Sequence, residues 1–403
     1  MDRRVVITAM GAVTSLGHDA RSIAHSIRDE RVCFQRHSSE NPVAVAPITH
    51  FDLRRHTGRH KNLRYLNRGA AMAVAAATDA VRCASLSEIQ RRKAGLFVGA
   101  GPNLDLGGEC TQITAGKISD QGLPALWMLR FLPNTAASAI AQIIGIHGEN
   151  LSLGNACAAS LQAIGEAYRR IKHGDLDLAL AGGGDSRLSD GAVLAYRKAQ
   201  ALFNGDDPPA TASRPFDASR KGFVPGEGGA FFVLESADHA HRRGTTVLAE
   251  ISGYGATLDG YAMTAPQPDG RWAEQAVRRA LNEAGIAASR VDLISAHGTG
   301  TPLNDEVEAA MIQRVFQAKP PDVIALKSWI GHLASACGAA ELAICLSAME
   351  SGCWPHIRNL AAPCNAALNY LRSSGAADPS VFLLQNFGFG GQNAALVVQR
   401  WKP

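Results

Sequence analysis

The chain has 403 residues, 46% of them hydrophobic and 19% charged, with a formal net charge of +4. Its length exceeds the roughly 250–300 residues at which one hydrophobic core stops growing, so it predicts two domains or two halves fused through one sheet system. The composition is that of an ordinary globular protein, and no stretch approaches the ~20 uninterrupted apolar residues of a membrane span, which excludes an integral helical membrane protein.

The N-terminal "MDRRVVITAMGAVTSLG" places two arginines before an apolar run, but glycines and a threonine interrupt the run and no small-residue cleavage site follows. It therefore predicts a first strand rather than a signal peptide, and a cytoplasmic protein. Next, Leu53 to Arg68 carries Arg54, Arg55, Arg59, Lys61, Arg64 and Arg68 with no acid, and without these six the formal charge would fall from +4 to −2. Such a stretch is either a solvated face or a dock for an acidic partner. No nucleic-acid-binding motif accompanies it, so nucleic acid is not the expected partner.

Beyond this point strand and helix signals alternate, the pattern of an α/β protein whose sheets are covered by helices. Helical periodicity runs through "YLNRGAAMAVAAATDAV", and "AGLFVGA" reads as a strand. In "LSLGNACAASLQAIGEAYRRI" a strand-like run gives way to apolar residues at Leu161, Ile164, Tyr168 and Ile171, one face of a helix that should close near Gly174. Cys157 thus falls at a helix N-terminus, where unpaired N–H groups and the helix dipole stabilise a thiolate. It is a candidate nucleophile, against the plain alternative of a small buried thiol. "LDLALAGG" and "GAFFVLES" are further strands, and the polar "SADHAHRRGT" (residues 236–245) marks a boundary, giving an N-terminal half 1–240 and a C-terminal half 241–403.

In the second half, "TVLAEISGYG", "VDLISAHG", "DVIALKS" and "AALVVQRW" read as strands and "WAEQAVRRALNEAG" as a helix. His297 stands just past an apolar strand at a Gly/Thr turn. Lys327 is expected to end a strand and His332 to open a helix that is apolar all round, which would bury both beside Glu341. Burial of that kind requires compensation, either in a structural network or at a functional site. "NFGFGGQN" has three glycines in eight positions, able to bring main-chain N–H groups close to a ligand as an oxyanion hole requires, or to form a plain hairpin. The two halves echo one another: in each, a β-like run leads to a site residue and a helix of small residues, followed by a glycine-rich turn. Eight scattered cysteines, Cys33, Cys83, Cys110, Cys157, Cys337, Cys345, Cys353 and Cys364, show neither C-x-x-C nor zinc spacing, so free thiols and no metal site are expected.

Taken in order, "VVITAMGAVTSLG", "NACAAS", "RPFDASRKGFVPGEGGA", "AHGTGTP", "KSWIGHLASACGAAE" and "NFGFGGQNAALVV" resemble the β-ketoacyl-acyl-carrier-protein synthases, elongating condensing enzymes of the thiolase superfamily, over nearly the whole chain. The resemblance implies a duplicated αβαβα fold of two pseudo-symmetric halves, each with a mixed five-stranded sheet. It implies that Cys157 takes an acyl chain from the phosphopantetheine arm of acyl carrier protein and that His297 and His332 stabilise the enolate formed when malonyl carrier protein loses carbon dioxide. By the same likeness Lys327 positions the site with Glu308 and Glu341 as its partners, and Thr299 and Thr301 bind the pantetheine. The N–H groups of Cys157 and Phe389, flanked by Gly388 and Gly390, form the oxyanion hole, with Phe389 as a gate. Arg59, Lys61, Arg64 and Arg68 would meet the carrier protein. The resemblance implies no resident cofactor, and a dimer either with itself or with a related subunit. A non-catalytic chain-length partner is the alternative, disfavoured because such partners lack the cysteine. Three departures stand out: Lys221 where the family has aspartate, Leu384, Gln385 and Asn386 where it has serine-asparagine-serine, and Gln392 for threonine. They leave fatty-acid and polyketide or polyene pathways both open.

Overall fold

The apolar run that opens the chain is strand β1 (Val5–Val13), buried along almost all its length, with Arg3 and Arg4 paired to Asp177 and Glu250 at its start. In the computed structural model, which describes residues 3–37, 42–109, 113, 114, 117, 118, 123 and 125–402, β1 lies in the middle of an eleven-stranded sheet. The other strands are β2 (Gly95–Gly99), β3 (Asn150–Leu153), β4 (Leu178–Ser186), β5 (Glu227–Ser236), β6 (Ala249–Leu258), β7 (Leu293–Ser295), β8 (Asp322–Ile324), β9 (Asn369–Tyr370), β10 (Val381–Gly388) and β11 (Gln392–Gln399). Their spatial order is 9-8-7-10-11-6-1-5-4-2-3.

Read outward from the centre, the first half runs 1-5-4-2-3 and the second 6-11-10-7-8, with the two-residue β9 added at the edge. In both, the fifth strand is antiparallel to its neighbours and the others run parallel, so the two halves share one winding. This is the duplicated fold expected from the sequence. The two five-stranded sheets are joined because β1 and β6 pair over Val5–Ile7 and Ala249–Ile251.

Strand alternation sets the layers. Phe231 and Val233 of β5 pack under α1 (Arg68–Ala84) and α2 (Thr135–Ile144), while Phe232 and Leu234 face α3 (Ala159–His173) and α4 (Cys337–Ser351). On the far side, α5 (Arg271–Ala284) and α6 (Pro302–Val315) cover β7, β10 and β11. The central pair, α3 and α4, are counterparts down to single residues. Each follows a 3-10 turn, Ala156–Ala158 or Ala334–Ala336, that begins on an alanine with positive φ (+47° and +45°), and each closes on a left-handed glycine, Gly174 or Gly352. The site therefore lies between the buried N-terminal turns of α3 and the nearly all-buried α4, at the carboxyl ends of the parallel strands.

Two expectations change. Lys327 does not end a strand: β8 stops at Ile324 and Lys327 opens one helical turn, Lys327–Ile330. His332 does not open the apolar helix, which starts five residues later at Cys337. Gly331 (φ +70°) breaks the chain direction, and His332 pairs in parallel with Pro225. The boundary stretch folds as a short helix, Ala237–Arg243, capped by Ser236 and Gly244. Of the eight cysteines, Cys110 lies outside the described residues, and the other seven are free thiols. Among the described residues, no helix is long and apolar enough to cross a membrane.

Candidate active site

Cys157 sits in the turn between β3 and α3, just ahead of the helix N-terminus, and retains partial accessibility. The β10–β11 hairpin packs directly on this turn. A Cβ on Gly388 would lie 2.9 Å from the Cys157 nitrogen and 3.1 Å from the Ala156 Cβ, so only glycine lets the hairpin approach. The next residue, Phe389, donates its backbone N–H to the sulfur and leaves its ring 36% exposed. Gly390 and Gly391 (φ +83° and +76°) complete the turn. Burial pushes the thiol up to about 11, against the pull of Lys327, Arg187 and the Phe389 N–H. The resting group is therefore a thiol, where the position at a helix N-terminus alone predicted a thiolate.

His297 and His332 converge on the sulfur from the second half: one ligating atom from each of the three side chains lies within 4.8 Å of the others. The two rings meet edge to face with centroids 5.7 Å apart. Burial comes first, then the Lys327 ammonium, and together they hold both imidazoles well below their ordinary pKa, so both are neutral. Their tautomers follow from their partners. His332 Nδ1 accepts the Ala334 N–H at 2.9 Å. His297 Nδ1 faces Lys327 Nζ at 3.2 Å and Asn386 Nδ2 at 3.4 Å, and an ammonium can only donate. On both rings the proton therefore sits on Nε2. Cysteine with two histidines is also a metal-ligand set, but rings whose Nδ1 atoms are occupied and whose Nε2 atoms carry protons, beside an ammonium, present donors rather than lone pairs.

Lys327 is 1% exposed and all three of its N–H bonds are used: Glu341 Oε1 at 2.6 Å, the His297 carbonyl at 2.6 Å and His297 Nδ1 at 3.2 Å. Burial alone would pull the ammonium down, but Glu341 outweighs it and the Lys327 pKa is raised, so the lysine stays charged; burial also lifts the Glu341 carboxyl, against the pull of Lys327 and Asn386. Glu341 Oε2 accepts from Asn386 Nδ2 at 2.8 Å.

Glu308 does not pair with Lys327. Its carboxyl instead accepts the N–H groups of His297 at 2.6 Å and Gly298 at 2.8 Å, with Gln385 at 2.7 Å and Asn304 at 3.0 Å. Burial lifts Glu308 to about 7. It braces the backbone that carries His297. Thr299 and Thr301 hold their hydroxyls 2.8 Å apart in the following turn.

The sequence pattern did not single out Asp305, which ties that turn together by accepting from Phe216, Thr299 and Gly300 N–H groups at 2.7–3.2 Å. Its signal was present: Asp305 and Glu308 stand three apart in the first turns of α6, one helical face looking back at the Thr/Gly loop. Gln385 and Asn386, noted only as departures, are fully buried members of the network, donating to Glu308 and Glu341. Lys221, by contrast, is on the surface 4.0 Å from Asp207, and the Gln392 side chain lies near Gly390.

The basic stretch forms a helical turn, Arg54–Thr57, and a 3-10 turn, Lys61–Tyr65. Arg59, Lys61 and Arg64 are exposed, and Arg64 stacks on Tyr65. Arg68 is exposed too, at 47% of its side chain, but its guanidinium also grips the fully buried Glu227 through Nε and Nη2 at 2.6 Å, which ties it to the fold as its neighbours are not.

A thiol at a helix N-terminus, two neutral imidazoles aimed as N–H donors and a hairpin N–H on the sulfur form apparatus for thioester exchange and for stabilising charge on a thioester oxygen, the chemistry of condensing enzymes. Comparison with known proteins agrees. Residues 2–240 match the β-ketoacyl synthase N-terminal domain and residues 248–361 the β-ketoacyl synthase C-terminal domain. The chain belongs to the β-ketoacyl synthase family, and it is a ketosynthase, a condensing enzyme of the acyltransferase type. It is 31% identical to the 3-oxoacyl-[acyl-carrier-protein] synthase 2 of Staphylococcus aureus (strain COL), covering 100% of this chain and 99% of that one. Among solved structures it is similar to the ishigamide ketosynthase/chain length factor (TM-score 0.91, 30% identity, 100% of both chains). It is also similar to a type II PKS ketosynthase bound to the hexaketide and in complex with its acyl-carrier protein (TM-score 0.87, 25% identity, 100% of both chains).

Proposed function

We propose that the protein extends acyl chains carried by an acyl carrier protein through decarboxylative condensation at Cys157. The observation that carries this reading is the meeting of Cys157, His297 and His332 within 4.8 Å, with both rings fixed as Nε2–H donors. First, the Cys157 sulfur attacks the acyl thioester on the carrier's pantetheine arm. The new C–S bond replaces the old one, and the proton of Cys157 passes to the departing pantetheine sulfur. The N–H groups of Cys157 and Phe389 hold the oxyanion of this step.

Malonyl carrier protein then binds with its pantetheine along Thr299 and Thr301. As its terminal C–C bond breaks and carbon dioxide leaves, the electron pair moves onto the thioester oxygen, where the two Nε2–H groups stabilise a charge absent from the ground state. The enolate carbon attacks the Cys157 thioester, C–C forms, C–S breaks and the released thiolate takes a proton from solvent. Lys327 and Glu341 are positioning residues that fix His297, and Glu308 braces its backbone. Phe389 gates the entry.

The half 1–240 supplies the nucleophile and 241–403 the histidines and lysine. The carrier protein docks on Arg59, Lys61 and Arg64, exposed cations for which no carboxylate partner occurs among the described residues, on a dimer that works in the cytoplasm. The chain-length-partner alternative is disfavoured by a complete Cys157, His297, Lys327 and His332 set. The test is carbon dioxide release from malonyl carrier protein: His297→Ala and His332→Ala should each reduce it at least 100-fold, and retention of the wild-type rate in either would remove that ring from the mechanism.

A further inference from the structure

The turn that follows His297 leads out of the site. His297 is 2% exposed and Thr299 6%, Thr301 is half-buried, and Pro302 and Leu303, which open α6, are exposed. A second segment of chain lines this exit. Gly222 donates its N–H to the Gly300 carbonyl at 3.0 Å, and a Cβ on Gly300 would lie 3.2 Å from the Gly222 carbonyl oxygen and 3.8 Å from the Arg214 backbone. Both glycines hold positive φ, +121° and +81°, so the two backbones meet with no side chain between them.

Three cations stand on this second segment, and two are committed. Arg220 is buried, donating to the Asp217 and Pro302 carbonyls at 3.0 Å and to Glu306 at 2.9 Å. Arg214 donates to the Thr211 carbonyl at 2.6 Å, Ser219 at 3.0 Å and Asp207 Oδ1 at 3.1 Å. Lys221, the residue before Gly222, is different. Its backbone is anchored, the carbonyl accepting the Asn204 N–H at 3.2 Å, but its side chain is 53% exposed. Among the described residues the one carboxylate oxygen it approaches is Asp207 Oδ2, 4.0 Å away and beyond hydrogen-bond reach, on a group whose other oxygen serves Arg214. An exposed pair of that kind holds a lysine weakly, so the ammonium keeps its donors for a ligand.

A phosphopantetheine arm carries its sulfur at one end, two amides along its length and a phosphate at the other end. With the thioester at Cys157 and His297 and the amides along Thr299 and Thr301, the phosphate lies further out, where the turn reaches solvent. We propose that Lys221 binds this phosphate as the arm enters. The proposal rests on the ketosynthase reading above and deepens it by adding an anion subsite at the mouth. The family's aspartate, placed here beside Asp207, would repel an anion, and lysine reverses that sign. An ammonium on a flexible stem acts on phosphate as a point charge. Because the phosphate is remote from the bonds that change, the contact is the same in ground and transition states and acts through KM.

The test uses substrates free of the carrier. Carbon dioxide release by the full-length protein is measured at low ionic strength from malonyl-phosphopantetheine and from malonyl-pantetheine, which differ only in the phosphate. Wild-type kcat/KM should be at least fivefold higher for the phosphorylated substrate, the difference lying in KM and shrinking as salt is added. Lys221→Met should bring the ratio within twofold of one, Lys221→Arg should retain a preference of at least threefold, and Lys221→Asp should favour the substrate without phosphate. A wild-type ratio of one, or an unchanged ratio in Lys221→Met, overturns the proposal and leaves the ketosynthase reading intact. Weaker binding of malonyl carrier protein by Lys221→Met at an unchanged ratio would place the lysine on a carboxylate of the carrier instead. Release from malonyl carrier protein but from neither small substrate would also overturn the phosphate contact. Absence of release from all three substrates would overturn both readings.

Discussion

Lys327 and Glu341 provide a quantitative handle on the site. Both are essentially inaccessible, and the ammonium has three acceptors within 3.2 Å. Lys327→Ala leaves the Glu341 carboxylate with Asn386 alone, and the His297 carbonyl without its close donor. Removing one member of a buried pair costs about 3–5 kcal/mol, a large share of the roughly 5–15 kcal/mol that holds a domain together. Glu341→Ala strands the opposite charge and should cost a similar amount. The double variant strands neither, so it should be less destabilised than the two singles summed by about 2 kcal/mol or more. Urea unfolding followed by circular dichroism, on all four proteins, closes the cycle. Both singles and the double should also lose malonyl decarboxylation, because His297 Nδ1 loses its ordered ammonium donor. Additive single effects, within about 0.5 kcal/mol, would refute the ion pair and with it the argument for the His297 tautomer.

Since burial and Lys327 hold both imidazoles well below 6.5, their neutral forms prevail above that range. Neither ring should therefore contribute a step to malonyl decarboxylation as pH falls from 8 through 6.5; a step near 7 belongs to Glu308 and should vanish in Glu308→Gln, and one that persists in that variant would show that a ring titrates there. Gly388→Ala forces a methyl to 2.9 Å from the Cys157 nitrogen. It should lower the rate of Cys157 acylation at least tenfold at a stability cost of about 1–3 kcal/mol, and an unaltered acylation rate would release the hairpin from its role. Arg64→Glu should weaken carrier-protein affinity about tenfold, with an attenuated salt dependence in titration, without loss of stability. Arg68→Glu, facing buried Glu227, should instead destabilise by about 3 kcal/mol. A fall in carrier affinity for Arg68→Glu at wild-type stability would restore Arg68 to the docking surface.

Much of this was legible in the sequence because the signals were local. The apolar face at Leu161, Ile164, Tyr168 and Ile171 fixed α3 and its cap at Gly174, and hence the place of Cys157. The small-residue echo of the two halves became matching 3-10 turns and helices. Three things could not be read locally. The break at Gly331 depends on a bridge to Pro225, more than a hundred residues away, so the run "GHLASACGAAEL" looked like one helix when it is a bridge, a turn and then a helix. Arg68 carries the same charge as its neighbours, and only the fold reveals that Glu227 takes it. Likewise Glu308 and Glu341 were both plausible mates for one lysine, and the direction of α6 decided between them.

The central claim is that Cys157 carries the acyl chain under two neutral imidazole donors. Its most direct measurement is intact-protein mass spectrometry of the purified protein incubated with acyl and malonyl carrier proteins. An acyl adduct should form on Cys157 and disappear as the extended β-ketoacyl carrier protein appears, with neither species formed by Cys157→Ala. An adduct at another residue, or extended product from Cys157→Ala at the wild-type rate, would contradict it.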